Sequence, residues 1–124
     1  MVVDTRPPKL RIKILQSETA FDADNLDGES CMVAENNSLW VWFDVQSYDG
    51  TIYFEVSPNG GDVWFPVQGF KLDEVATLMS SVASPVNEES YVIRVPSHSL
   101  VRVKMAGGTD GALTVYARNV EWPY

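Results

Sequence analysis

The chain has 124 residues, 45% of them hydrophobic and 21% charged, which is the composition of one folded domain and excludes a disordered tail. A formal net charge of -8 argues against nucleic acid as a partner, because phosphate binding needs a cationic field. A single cysteine, Cys31, excludes an internal disulfide, and no run is apolar enough for a signal peptide or a membrane span, so a soluble protein made in a cytoplasm, with no cofactor and no membrane partner, is expected.

Short runs of period-two alternation, separated by turn chemistry, dominate the chain in order. "KLRIKIL" puts Leu10, Ile12 and Ile14 on one face and Arg11 and Lys13 on the other, after a basic arm in which Pro7 and Pro8 favour an extended path. The acidic stretch "FDADNLDGES" follows. "LWVWFDV" then sets Leu39, Val41, Phe43 and Val45 against Trp40, Trp42 and Asp44, and "TIYFEVS", after the Asp49-Gly50 turn, sets Ile52, Phe54 and Val56 against Tyr53 and Glu55. "SPNGGDVWFPV" opens with a turn requiring positive φ at Asn59-Gly60-Gly61 and continues with Val63, Phe65 and Val67 opposed to Trp64 and Pro66. These three runs read as a meander.

Residues 71–83, "KLDEVATLMSSVA", fit a short helix through Leu72, Val75 and Leu78 or Met79. Alternation then resumes in "YVIRVP", "LVRVKM" and "ALTVYAR", with "GGTDG" turning the chain between the last two. The pattern predicts an all-β domain of about seven to eight strands, an antiparallel two-sheet sandwich of jelly-roll-like character. Residues 1–20 form its extended arm and first strand, and residues 21–124 the sandwich.

Four groups of residues invite a chemical reading. Asp22, Asp24, Asp27 and Glu29 supply hard oxygen ligands at a density that can hold calcium, but from Asp22 the fifth position is Leu26, so the EF-hand register fails and a solvated acidic connection is the better reading. His98 is flanked by Ser97 and Ser99, which a strand would send to the opposite face from it, so this is read as a polar turn and no catalytic residue is assigned. Trp40, Trp42, Tyr53 and Trp64 fall on outward positions and would form an aromatic platform, either covered by protein or stacking sugar rings; Trp122 and Tyr124 of the terminal "EWPY" would add anchors. Arg94, Arg102, Lys104 and Arg118 are also outward and would make a basic stripe for docking on an acidic protein surface, including the acidic middle of another copy.

Two resemblances attach to these motifs. Ser57, Gly61 and Trp64, with Asn59 in place of the usual Asp, are similar to the Asp-box hairpin of sialidases, which implies a structural turn and no sialidase activity. From about Leu39 to Asn119, "VSPNGGDVW", "YVIRVP", "VRV" and "TVYAR" resemble the small β-sandwich structural proteins of tailed bacteriophage virions. That second resemblance implies a non-enzymatic virion protein, a capsid decoration or cement protein first of all, that oligomerises and docks on the major capsid or another virion protein. The runner-up is a carbohydrate-binding module or receptor-binding tail domain with a glycan ligand.

Overall fold

Burial alternates along residues 38–46, 51–57, 100–106 and 112–119 in a computed structural model, which describes residues 12–19, 28–34 and 37–120. Among these, eleven strands and no helix are found: β1 (Lys13–Thr19), β2 (Ser30–Met32), β3 (Ser38–Gln46), β4 (Thr51–Ser57), β5 (Phe65–Pro66), β6 (Gly69–Lys71), β7 (Glu74–Met79), β8 (Ser81–Ala83), β9 (Ser90–Arg94), β10 (Leu100–Ala106) and β11 (Ala112–Asn119). They form two antiparallel sheets. The larger runs β1-β11-β3-β9-β6-β7; the smaller runs β2-β10-β4-β5, with β8 also paired to β4.

The chain changes sheet at every connection except β4 to β5 and β6 to β7. Without the β6–β7 hairpin, the neighbours β1-β11-β3-β9 face β2-β10-β4 with β5 and β8, an eight-strand jelly-roll order with one extra short segment on β4. The hairpin widens the larger sheet alone. Between the sheets lies a core of Leu15, Leu39, Val41, Phe43, Ile52, Phe54, Tyr91, Ile93, Val101, Val103, Met105, Leu113, Val115 and Ala117, all at most 4% exposed. Phe43 and Phe54 both pack on Tyr91, with ring centroids 5.9 and 5.6 Å away. Each such side chain stabilises by about 1.5–3 kcal/mol through removal of apolar surface from water.

Asn119 ties the two sheets together at one end. Its Oδ1 accepts from Ala34 N at 2.7 Å and its Nδ2 donates to Met32 O at 3.1 Å, so the end of β2 and the segment after it are fastened to the end of β11. At the other end Asp49 accepts from Thr109 N, Thr109 Oγ1 and Asp110 N at 2.8, 2.6 and 3.0 Å, which closes the β3–β4 turn on the β10–β11 turn.

Four expectations are corrected. Residues 71–83 are strands: Phe70 pairs with Leu78 and Gly69 with Met79, and the three-residue spacing of apolar groups came from reading two arms of a hairpin and the following β8 as one helix. The meander fails at its first step, since β3 and β4 lie in different sheets and only β4 and β5 pair. Val63 and Phe65 are exposed, because β5 is two residues long and lies at the sheet edge. Ile12 and Ile14 point outward, at 45% and 48% exposure; a bulge between Ile14 and Gln16 shifts the phase of β1 so that Leu15 enters the core.

Candidate functional site

Crossing from sheet to sheet divides the outward residues between two opposite surfaces. Trp40 and Trp42, on β3, lie on the outer face of the larger sheet, whereas Tyr53, on β4, lies on the outer face of the smaller one. Trp64 belongs to that second surface as well, with the Arg102 guanidinium 4.0 Å above its ring. The single platform expected of these four rings therefore does not exist. The basic stripe divides for the same reason: Arg94 and Arg118 are on the larger sheet, Arg102 and Lys104 on the smaller. Trp122 and Tyr124, with Asp22, Asp24 and Asp27, lie outside the described residues, and Glu29 is exposed. Among the described residues no group of His, Cys, Asp and Glu could hold a metal ion.

On the larger sheet, register stacks the outward side chains into rows. Ser17, Thr114 and Asp44 form one; Ile14, Tyr116, Trp42 and Ser90 the next; Arg118, Trp40, Val92, Phe70 and Leu78 the third, which Ile12 extends beside Arg118 and Trp40. The third row crosses β11, β3, β9, β6 and β7, and with Ile12, just before β1, it spans roughly 24 Å at about 4.8 Å per strand. Val92 within it is covered, at 2% exposure, so the row and its neighbour offer the half-buried rings of Trp40, Trp42, Phe70 and Tyr116 with exposed Ile12 and Ile14, and contiguous apolar surface of this kind marks interaction sites. The third row ends on Leu78, 57% exposed.

The rings of this face are arranged against one another. Trp42 and Tyr116 stack with centroids 5.8 Å apart and planes 20° from parallel. Trp40 meets Trp42 edge-on at 5.9 Å, and the Arg118 guanidinium lies 5.3 Å from the Trp40 ring centre. Ile12, Trp40, Trp42 and Arg118 line a shallow hollow of about 400 Å³. Trp40 Nε1 is shielded from solvent with no hydrogen-bond partner among the described residues. Sugar stacking needs a ring face open to the ligand, while a protein anchor uses ring edges and the apolar rim. Here the Trp42–Tyr116 stack takes one face of each of those rings, and the Trp40–Trp42 contact is edge-to-face.

Trp64 has a different role, set by its hairpin. Ser57 Oγ accepts from Gly61 N at 2.8 Å and donates to Asn59 Oδ1 at 3.0 Å, and Asn59 Oδ1 also accepts from Val63 N at 3.0 Å. Gly60 and Gly61, at φ 78° and 98°, supply the left-handed backbone the loop requires, as the sequence indicated for the two glycines; Asn59, expected to share it, does not. Trp64 Nε1 donates back to Gly61 O at 3.0 Å, and the ring supports Arg102, whose Nε donates to Glu55 Oε1 at 2.8 Å. This is a self-satisfied structural turn, as its Asp-box likeness implies.

His98 sits at φ 68° between β9 and β10 and is exposed, with its backbone N donating to Val33 O, which agrees with a polar turn. Burial pushes the Cys31 thiol up, so the group stays protonated near neutral pH. Burial and the bond to Glu89 push Tyr91 up to about 12. These groups are structural by their surroundings.

No protein-family model matches the chain, and no curated protein matches it in sequence. Its fold is shared with solved structures. The SPBc2 prophage-derived protein YomS superposes with a TM-score of 0.68 at 18% identity, over 94% of this chain and 96% of that one. The PBSX exported protein XepA superposes with a TM-score of 0.59 at 15% identity, over 94% of this chain but only 44% of that one. The chain thus spans nearly the whole of YomS and less than half of XepA.

Proposed function

We propose that this protein is a non-enzymatic structural component of a phage particle, a capsid decoration or cement protein, that works by burying the outer face of its larger sheet against protein. The observation that carries the reading is the strip from Ile12 through Arg118, Trp40 and Phe70 to Leu78, laid over the covered Val92 and backed by the Trp42–Tyr116 stack. Support for the viral setting comes from the fold it shares, over nearly both full lengths, with a prophage-derived protein.

The partner is a second copy, the major capsid protein or another virion protein, and the contact is chiefly apolar. Of the expected basic stripe, this face carries only Arg94 and Arg118, and Asp44 of opposite sign lies two rows from Trp40, so charge steers the contact and contributes little of its strength. A standard interface covers about 800 Å² per partner, so the strip forms its centre and polar residues its rim.

Gradient-purified particles from infected or induced cells, with and without the gene, test the proposal. Mass spectrometry should find the protein at a fixed stoichiometry, and electron microscopy should find its density on the capsid surface. A protein present in the lysate and missing from particles would refute the virion reading; density on the tail would refute decoration of the capsid.

A further inference from the structure

The outer face of the smaller sheet holds a second, chemically different feature. Strand β4 is paired along one edge by two short segments in succession: β8 over Thr51–Tyr53 and β5 over Glu55 and Val56. Phe54, at the changeover, satisfies both backbone groups, its N donating to Ser80 O at 2.9 Å and its O accepting from Val67 N at 3.0 Å. The two segments part there and leave a notch of about 350 Å³, whose lining includes Tyr53, Glu55, Pro66, Ser80, Ser81 and Lys104.

Several polar side chains around this notch have no partner among the described residues. Among the described residues the Lys104 ammonium and the hydroxyls of Tyr53, Ser80 and Ser81 make no hydrogen bond or ion pair. Glu55, the one carboxylate in the lining, is neutralised by Arg102 at 2.8 Å. Among the described residues one positive charge is therefore left uncompensated in the notch, on a chain whose formal net charge is -8. Register places Lys104, Tyr53 and Ser81 in one row across three strands, so they face the same space, with the Tyr53 ring and Pro66 as apolar walls. A concave site with apolar walls and a few convergent polar groups is the usual form of a small-ligand site.

We infer that this notch binds an acidic sugar residue, a carboxylate-bearing pyranose of a polysaccharide. Lys104 pairs with the carboxylate, the serine and tyrosine hydroxyls exchange hydrogen bonds with ring hydroxyls, and the C–H face of the ring lies on Tyr53 and Pro66. A protein segment fits less well, because β4 has no free backbone edge here for a strand to join.

Titration of the full chain, 15N-labelled, with trigalacturonic acid tests the inference by amide shifts. Saturable shifts at Tyr53, Ser80, Ser81 and Lys104 are expected at about 10 mM ligand, a concentration that reveals millimolar affinity. Lys104→Gln should weaken binding roughly tenfold, as expected for loss of a charge-assisted hydrogen bond. Ser81→Ala should weaken it by a smaller factor, and Trp42→Ala, on the opposite surface, should leave it unchanged. No saturable shift, shifts mapped to another surface, or binding indifferent to Lys104→Gln would each overturn the inference. Equal shifts with acetate or phosphate alone would overturn the sugar and leave an anion site; equal binding of neutral galactose would overturn the role of charge. None of these outcomes depends on whether the protein is found in particles.

Discussion

Replacing Trp42 by alanine separates the role of the larger sheet's outer face from the stability of the fold. The ring stacks on Tyr116 and meets Trp40 edge-to-face, and it is only half-buried. An aromatic pair contributes about 0.5–1.5 kcal/mol beyond area burial, so the loss of two ring contacts and some partly covered surface should cost the fold roughly 1–2 kcal/mol. A domain of this size is stable by about 5–15 kcal/mol, so Trp42→Ala should remain folded at room temperature. At a protein interface, a central tryptophan costs about 2 kcal/mol or more on truncation, a factor of roughly 30 in affinity. Sedimentation velocity reads self-association, and co-sedimentation with particles lacking the protein reads docking; circular dichroism of the same samples controls for folding. Both associations unchanged in Trp42→Ala, with native circular dichroism, would refute the assignment of this face. The effect should also survive salt, because the centre of the strip is uncharged apart from Arg118.

Ser57→Ala should destabilise the chain by about 1–2 kcal/mol, read by urea unfolding, since Gly61 N and Asn59 Oδ1 each lose a partner. It should also change the fluorescence of Trp64, whose ring is held by the same loop. Asn119→Ala should cost more, about 2–3 kcal/mol, because it strands Ala34 N and Met32 O between the sheets. A thermal midpoint indistinguishable from the parent would show that water replaces both bonds. The bonds from Thr109 and Asp110 hold the Asp49 carboxyl down at about 2. Its unfolded value is about 3.9, so its contribution to stability is present above about pH 4 and is lost as pH falls towards 2. Asp49→Asn should flatten that acid limb in unfolding experiments at successive pH values; an unchanged limb would show that other carboxylates set it.

The fold class was legible because alternation survives whatever sheet a strand joins. Leu39, Val41 and Phe43, Val101, Val103 and Met105, and Leu113, Val115 and Ala117 are buried in the phase their sequence displays. What alternation cannot carry is the identity of the neighbouring strand. Trp42 and Tyr53 are separated by one turn and read as sharing a face, yet the link from β3 to β4 passes between sheets and sends them to opposite surfaces. Partners on the true face are distant in sequence: Tyr116 lies beside Trp42 and Phe70 beside Val92. Phase also fails where a bulge intervenes, which is why Ile12 and Ile14 turn outward while Leu15 goes in. The helix expected over residues 71–83 failed for a related reason. Apolar spacing there sums contributions from two strands and a turn, and the pairing of Phe70 with Leu78 decides the outcome.

Division of the surface follows from the same connectivity and has a consequence for function. In a meander, one alternating pattern would put every outward aromatic and every outward cation on one side, giving a single mixed face. Here the chain crosses from β3 to β4, from β9 to β10 and from β10 to β11, so Trp40, Trp42, Tyr116 and Arg118 collect on one side while Tyr53, Arg102 and Lys104 collect on the other. The first side is an apolar strip with a stacked ring pair, suited to burial against protein; the second is a notch in which Lys104 and the hydroxyls of Tyr53, Ser80 and Ser81 have no partner among the described residues. A sandwich whose core is about 10 Å thick keeps the two surfaces apart, and neither shares a side chain with the other. Occupation of the strip by a neighbouring protein therefore leaves the notch open to solvent, so a protein anchored through β3 and β11 would present β4 and β10 outward. Docking and ligand binding should accordingly be independent: the acidic trisaccharide should bind the free protein and the docked protein with the same affinity, and a difference between the two would mean that the docked orientation covers the smaller sheet.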